Sequence, residues 1–168
     1  MSKKTGVGML AVAWLLILGV VSLAFNNWLQ RQQNPNRNPE SSIAAEGQRT
    51  VTLRANRQHH YVTGARINGR KVTLLVDTGA TDVVVSEALA RELGLPRGAR
   101  GIATTANGRV VIHHTVIEEI VIGDIILRQI KASINPGMSG SEPALLGMSA
   151  LKNIELRQRN GELLLIQT

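Results

Sequence analysis

The sequence predicts a small, mainly-β domain, a closed barrel or sandwich with one or two short helices, preceded by a single N-terminal transmembrane helix. Three observations carry this reading. Short apolar alternating segments recur through residues 50–168, Asn-Gly or Gly-Asp pairs separate several of them, and residues 7–25 form a 19-residue run without a charge.

The elements follow in chain order. As a helix, residues 7–25 would span about 28 Å, enough for a bilayer core. Lys3 and Lys4 precede the run, so residues 1–6 are expected to be cytoplasmic and the rest exported. The expectation is a single-pass inner (plasma) membrane protein whose folded domain is periplasmic or otherwise extracytoplasmic, with Trp28 at the interface. The rival is a cleavable signal peptide, because Ser22-Leu23-Ala24 resembles a small-x-small cleavage site. Residues 26–49 are rich in Asn, Gln, Pro and Ser and lack apolar periodicity, so they read as a flexible linker. Such a tether would let two anchored domains meet, the membrane raising their effective concentration.

Residues 50–168 suffice for one compact core. Strands are expected at 51–55, 60–67, 71–76, 83–85, 100–105, 109–116, 117–122, 125–134, 144–148, 154–158 and 162–166. Asn68-Gly69, Asn107-Gly108 and Asn160-Gly161 suit the positive φ angles of type I′ hairpin turns, and Gly123-Asp124 marks a fourth turn. The clearest helix is 87–93, capped by Ser86 and closed by Gly94 before Pro96; a short second helix follows Gly147, with Ser149 as its expected N-cap.

Composition excludes several chemistries. The chain has no cysteine, hence no thiol nucleophile, disulfide framework or thiolate metal site. His59-His60 and His113-His114 are neighbours on strands, which point to opposite faces, so neither pair chelates well; Glu118-Glu119 is separated by the same alternation. Residues 137–141, Gly-Met-Ser-Gly-Ser, lack the strand-to-helix setting of a nucleophile elbow. No metal or other cofactor is expected. Tyr61 is the only aromatic residue of 50–168, leaving no platform to stack bases, so no nucleic-acid partner is expected despite the net charge of +7. That charge reads as a basic surface plus anchor flanks, or as attraction to anionic headgroups.

Asp77-Thr78-Gly79 is the most informative stretch. It places a carboxylate at the end of the apolar run 72–76, where the chain must turn before a second apolar run, Val83-Val84-Val85. The tripeptide alone also fits an Asx-type turn, with Asp77 bonding nearby N–H groups and Gly79 supplying a positive φ. Its wider setting adds to it: a hairpin over 100–115 that could close over a cleft as a flap, then the apolar Ala144-Leu145-Leu146-Gly147 before a short helix. The other aspartates are Asp82 and Asp124, and no second Asp-Thr-Gly or Asp-Ser-Gly exists, so a two-carboxylate site needs another copy of the chain. Two such carboxyls at hydrogen-bond distance cannot both ionise cheaply and would share a proton, the arrangement that the general account of aspartic proteases describes.

On these residues the chain resembles the retropepsin-like aspartic proteases, and among them the bacterial membrane-anchored members. Asp77-Thr78-Gly79-Ala80-Thr81, the flap segment Thr105-Ala106-Asn107-Gly108 and Leu145-Leu146-Gly147-Met148-Ser149 stand in the family's order over roughly residues 50–168. The resemblance implies a retropepsin-like barrel, a homodimer, a peptide or protein substrate, Asp77 as the catalytic carboxylate, Thr78 bracing the two loops across the dimer axis, and Gly79 permitting close approach of substrate. It further implies that Ala80, Thr81, Asp82, Ala106, Asn107, Gly108, Leu146 and Gly147 bind substrate. Some viral members carry consecutive aspartates where this chain has Thr81-Asp82 and an arginine where it has Met148, so their polar triad is not expected here. The function expected is membrane-anchored aspartic endopeptidase; the alternative is a catalytically silent module that binds extended peptides in its cleft or at a sheet edge.

Overall fold

A computed structural model describes residues 2–44, 47–105 and 108–168. The chain divides into two compact units, 1–33 and 34–168. The first is one helix, α1 (Ser2–Gln33). Its stretch Gly8–Gln30, 23 residues of mean hydropathy 2.4, is long and apolar enough to cross a membrane, about 34 Å at 1.5 Å per residue. The described side chains of this stretch are exposed. Phe25 and Trp28 stack at 5.8 Å between ring centroids on one side of it.

The second unit is mainly β. Four strands, β1 (Glu40–Ile43), β2 (Arg49–Arg54), β10 (Glu155–Arg159) and β11 (Glu162–Gln167), form an antiparallel sheet in the order β1-β2-β11-β10. Seven others, β3 (Val62–Ile67), β4 (Arg70–Val76), β5 (Val83–Ser86), β6 (Arg100–Thr105), β7 (Gly108–Ile122), β8 (Ile125–Asn135) and β9 (Ala144–Leu146), pair in the order β3-β4-β9-β5-β8-β7-β6. β3 also pairs with β7 through Arg66↔Val121 and Ile67↔Ile120, which curls this sheet back on itself as a barrel. The core between the sheets is aliphatic: Leu53, Ile67, Leu74, Ile117, Ile120, Ile122, Ile125, Leu146 and Leu165 are fully buried, and Tyr61 packs at its margin.

Local chemistry explains the connections. Asn68 and Gly69 adopt φ of 48° and 79°, and Asn160 and Gly161 51° and 80°, as two-residue turns of this hand require. Between Ile122 and Ile125, Gly123 takes φ of 55°. Helix α2 (Glu87–Glu92) begins where the Ser86 hydroxyl accepts from the Leu89 N–H at 3.2 Å, and Gly94, at φ 65°, follows its end.

Three expectations change. Residues 109–122, read as two strands, belong to the single 15-residue β7, because β8 pairs with it in one register from His113↔Ile134 to Ile122↔Ile125. Ser149 does not cap α3 (Met148–Leu151); Gly147 is the N-cap residue, with no side-chain bond, and the Ser149 hydroxyl is committed elsewhere. The flexible-linker reading of 26–49 fails for much of its length, since α1 runs to Gln33 and β1 occupies Glu40–Ile43. Asn36 supplies the physical reason. It is buried, and its carboxamide donates to the Val62 and Arg54 carbonyls at 2.7 and 2.9 Å and accepts from the Arg54 N–H at 2.7 Å. Its carbonyl accepts from Gly64 N–H and from the Thr63 hydroxyl. A polar sequence is thus ordered by hydrogen bonds to backbone rather than by apolar burial.

Candidate active site

The apolar strand β4 delivers Asp77 to its end, and the Asp77 N–H donates to the Leu146 carbonyl at 3.1 Å. β9 lies between β4 and β5, parallel to the first (Val76↔Leu146) and antiparallel to the second (Val84↔Leu145). Residues 77–82 therefore arch over the end of β9 to reach β5. Within the arch, Asp77 Oδ1 accepts from the Gly79 N–H at 2.9 Å and the Ala80 N–H donates to the Asp77 carbonyl at 3.3 Å. This is an Asx-type turn, so the turn and the half-buried carboxylate are one arrangement rather than alternatives. Gly79 does not supply the positive φ expected of it. It supplies space: a Cβ there would lie 3.2 Å from Asp77 Oδ1.

The chain leaving β9 passes beneath the arch. Met148 N–H donates to the Ala80 carbonyl at 2.8 Å and Ser149 N–H to the Thr81 carbonyl at 2.9 Å. Gly147 makes this possible, because a Cβ at that position would overlap the Asp82 carbonyl oxygen and stand 2.7 Å from that of Ala80. Its backbone, at φ −88°, is open to any residue; only the space is restricted.

The expected site residues separate accordingly. Asp77, Ala80 and Asp82 are half-buried and Thr78, Gly79 and Thr81 exposed, so one loop brings six of them together with Asp77 still open on one side. Leu146 is fully buried and Gly147 is covered by the arch. Neither faces open space; both support the loop instead of lining a cleft, a correction that follows from β9 running between β4 and β5. Ala106 and Asn107 lie outside the described residues. Gly108 is exposed, opens β7 at φ 109°, and pairs with Thr105 at the described end of the β6–β7 hairpin. Sequence reasoning did not find the partners of the Ser149 hydroxyl, read there as a helix cap, nor the role of Asn36. A serine after Gly-Met and an asparagine in a polar stretch carry no local pattern that reveals such distant partners.

Side chains set aside on sequence grounds are engaged elsewhere. Glu119 pairs with Arg128 at 3.3 Å while Glu118 is exposed. The His113 ring Nδ1 stands 3.4 Å from the Gly98 carbonyl, and the His114 ring packs against Gly101. Among the described residues no three His, Cys, Asp or Glu side chains stand together.

Comparison with known proteins agrees with this geometry. Residues 63–153, more than half of the chain, match the family described as "gag-polyprotein putative aspartyl protease". An uncharacterized protein in the cobV 5′ region of Sinorhizobium sp is 37% identical over 117 residues, covering 68% of this chain and 50% of that protein. An uncharacterized protein of Rickettsia prowazekii (strain Madrid E) is 27% identical over 131 residues, covering 76% and 55%. The chain thus spans about half the length of these curated relatives. The crystal structure of a retropepsin-like aspartic protease from Rickettsia conorii superposes with a TM-score of 0.57 at 24% identity, covering 77% of this chain and 95% of that one, a likeness of fold. The matched span 63–153 takes in β4, the arch, β5 and β9, and the chain belongs to the retropepsin-like aspartic proteases.

Proposed function

We propose that this protein is a membrane-anchored aspartic endopeptidase whose active site forms from two copies of the chain, each contributing Asp77. The observation that carries the reading is the half-open Asp77 carboxylate, fixed by the Gly79 N–H at 2.9 Å on an arch tied down from beneath by Met148 and Ser149. One such group per chain is half of a carboxylate pair.

In the proposed homodimer the two Asp77 side chains share one proton and hold a water between them. The ionised member takes a proton from that water as its oxygen attacks the scissile carbonyl carbon; the protonated member gives its proton to the carbonyl oxygen. The resulting gem-diol collapses with cleavage of the C–N bond as a proton passes to the leaving amine. No covalent acyl-enzyme forms. Thr78 braces the paired loops, Ala80, Thr81 and Asp82 bond the substrate backbone, and the flap residues Ala106, Asn107 and Gly108 cover it. Substrates would be extended segments of exported or membrane proteins, cut at apolar positions.

In this reading α1 is a retained anchor, its amino end and Lys3-Lys4 cytoplasmic, with the β unit in the periplasm or its extracytoplasmic equivalent. The test is cleavage of a mixed peptide library by the full chain in detergent micelles, from about pH 3 to about pH 8, beside an Asp77→Asn variant of equal fold. Cleavage abolished by the substitution supports the proposal. A folded, dimeric wild type that cleaves nothing overturns it and leaves a peptide-binding module.

A further inference from the structure

Ser149 occupies an unusual place beneath the Asp77 arch. Its N–H donates to the Thr81 carbonyl at 2.9 Å, its hydroxyl accepts from the Val83 N–H at 3.0 Å, and the same hydroxyl donates to the Lys131 carbonyl at 2.7 Å. One residue therefore grips the backbone on both sides of Asp82 and ties it to β8. The parallel pairing of Val83 with Ala132 starts here, so the hydroxyl sits at the mouth of the β5–β8 ladder, joining two groups that face each other at its first rung. Val83 is fully buried, and its N–H is too costly to leave unpaired. With the hydroxyl present, the exit of the arch is held at the distance of a two-bond relay; without it, Val83 and Lys131 are free to close on each other, drawing residues 80–83 with them.

We propose that Ser149 is a positioning residue: its hydroxyl sets where the arch leaves for β5 and thereby where the Asp77 carboxylate stands. The consequence for catalysis rests on the protease reading above; the consequence for the arch does not. Displacement of a reacting group by about an ångström costs up to about a hundredfold in rate, whereas the two hydrogen bonds lost with the hydroxyl are local to the arch and to the start of the β5–β8 ladder.

The experiment compares wild type, Ser149→Ala and Ser149→Thr as full chains in detergent micelles, with amide hydrogen exchange read segment by segment and peptide cleavage measured alongside. Ser149→Ala is expected to speed exchange across residues 77–84 by about tenfold while β2, β7 and β11 keep their protection. It is also expected to lower kcat by about tenfold or more with KM within about twofold. Ser149→Thr, which keeps a hydroxyl, should restore both. Unchanged exchange over 77–84 in Ser149→Ala, an increase spread equally over β2 and β11, or a threonine variant no better than alanine would each overturn the assignment. If wild type cleaves no peptide while exchange over 77–84 responds as described, the protease reading fails and the positioning role stands.

Discussion

Gly147 lies directly under Asp82, so close that a single added methyl group would overlap the Asp82 carbonyl oxygen. This is the tightest passage in the site, since the strand that enters between β4 and β5 must leave beneath the loop connecting them. Gly147→Ala should cost about 2 to 3 kcal/mol of stability, the range of overpacking at a site that cannot relax. Any folded remainder should have a displaced arch and little peptidase activity. Thermal unfolding beside a cleavage assay checks both, and an alanine variant as stable as wild type would refute the close approach.

Asn36 makes a second prediction, remote from the site. Its carboxamide serves the Arg54 N–H, the Arg54 carbonyl and the Val62 carbonyl, so Asn36→Ala strands three backbone groups. The expected loss is about 2 to 3 kcal/mol in denaturant unfolding. A chain truncated to begin at residue 51 should be destabilised by at least as much, because it lacks β1 as well. Equal stability of chains beginning at 34 and at 51 would show that this segment is the loose tether its composition describes.

At the start of β7, Gly108 holds φ of 109°, a conformation side chains rarely adopt. Gly108→Ala should cost about 1 kcal/mol by this local strain. Its larger effect should be a raised KM for peptides, if residues 106–108 cover bound substrate. Steady-state kinetics on a stable variant decides it; unchanged KM would remove the flap from substrate binding.

Much of this was legible in the chain because the signals are local. Alternation placed the strands, the Asn68-Gly69 and Asn160-Gly161 pairs fixed hairpins whose φ angles match, and Ser86 with Gly94 bounded α2. The Asp-Thr-Gly crest was equally visible, because an apolar run ending in an aspartate is itself a local pattern. What stayed hidden was long-range. Ser149 looks like an N-cap until its hydroxyl is seen to reach Val83, 66 positions away, and Asn36 looks like linker until Val62 and Arg54 close around it. Leu146 and Gly147 looked like cleft residues because adjacency to a motif does not reveal which side of a loop a strand passes.

The central claim is that each active site needs the Asp77 of two chains, and a mixing experiment tests it most directly. Asp77→Asn keeps an oxygen able to accept from Gly79 N–H, so it should fold and pair normally. Wild type is allowed to exchange partners with increasing amounts of this variant in detergent, and peptide cleavage per wild-type chain is measured. The account predicts that cleavage falls in proportion to the wild-type fraction, because mixed pairs carry one carboxylate and are inactive. Constant cleavage per wild-type chain under demonstrated exchange would mean that one Asp77 suffices, and would contradict the shared site.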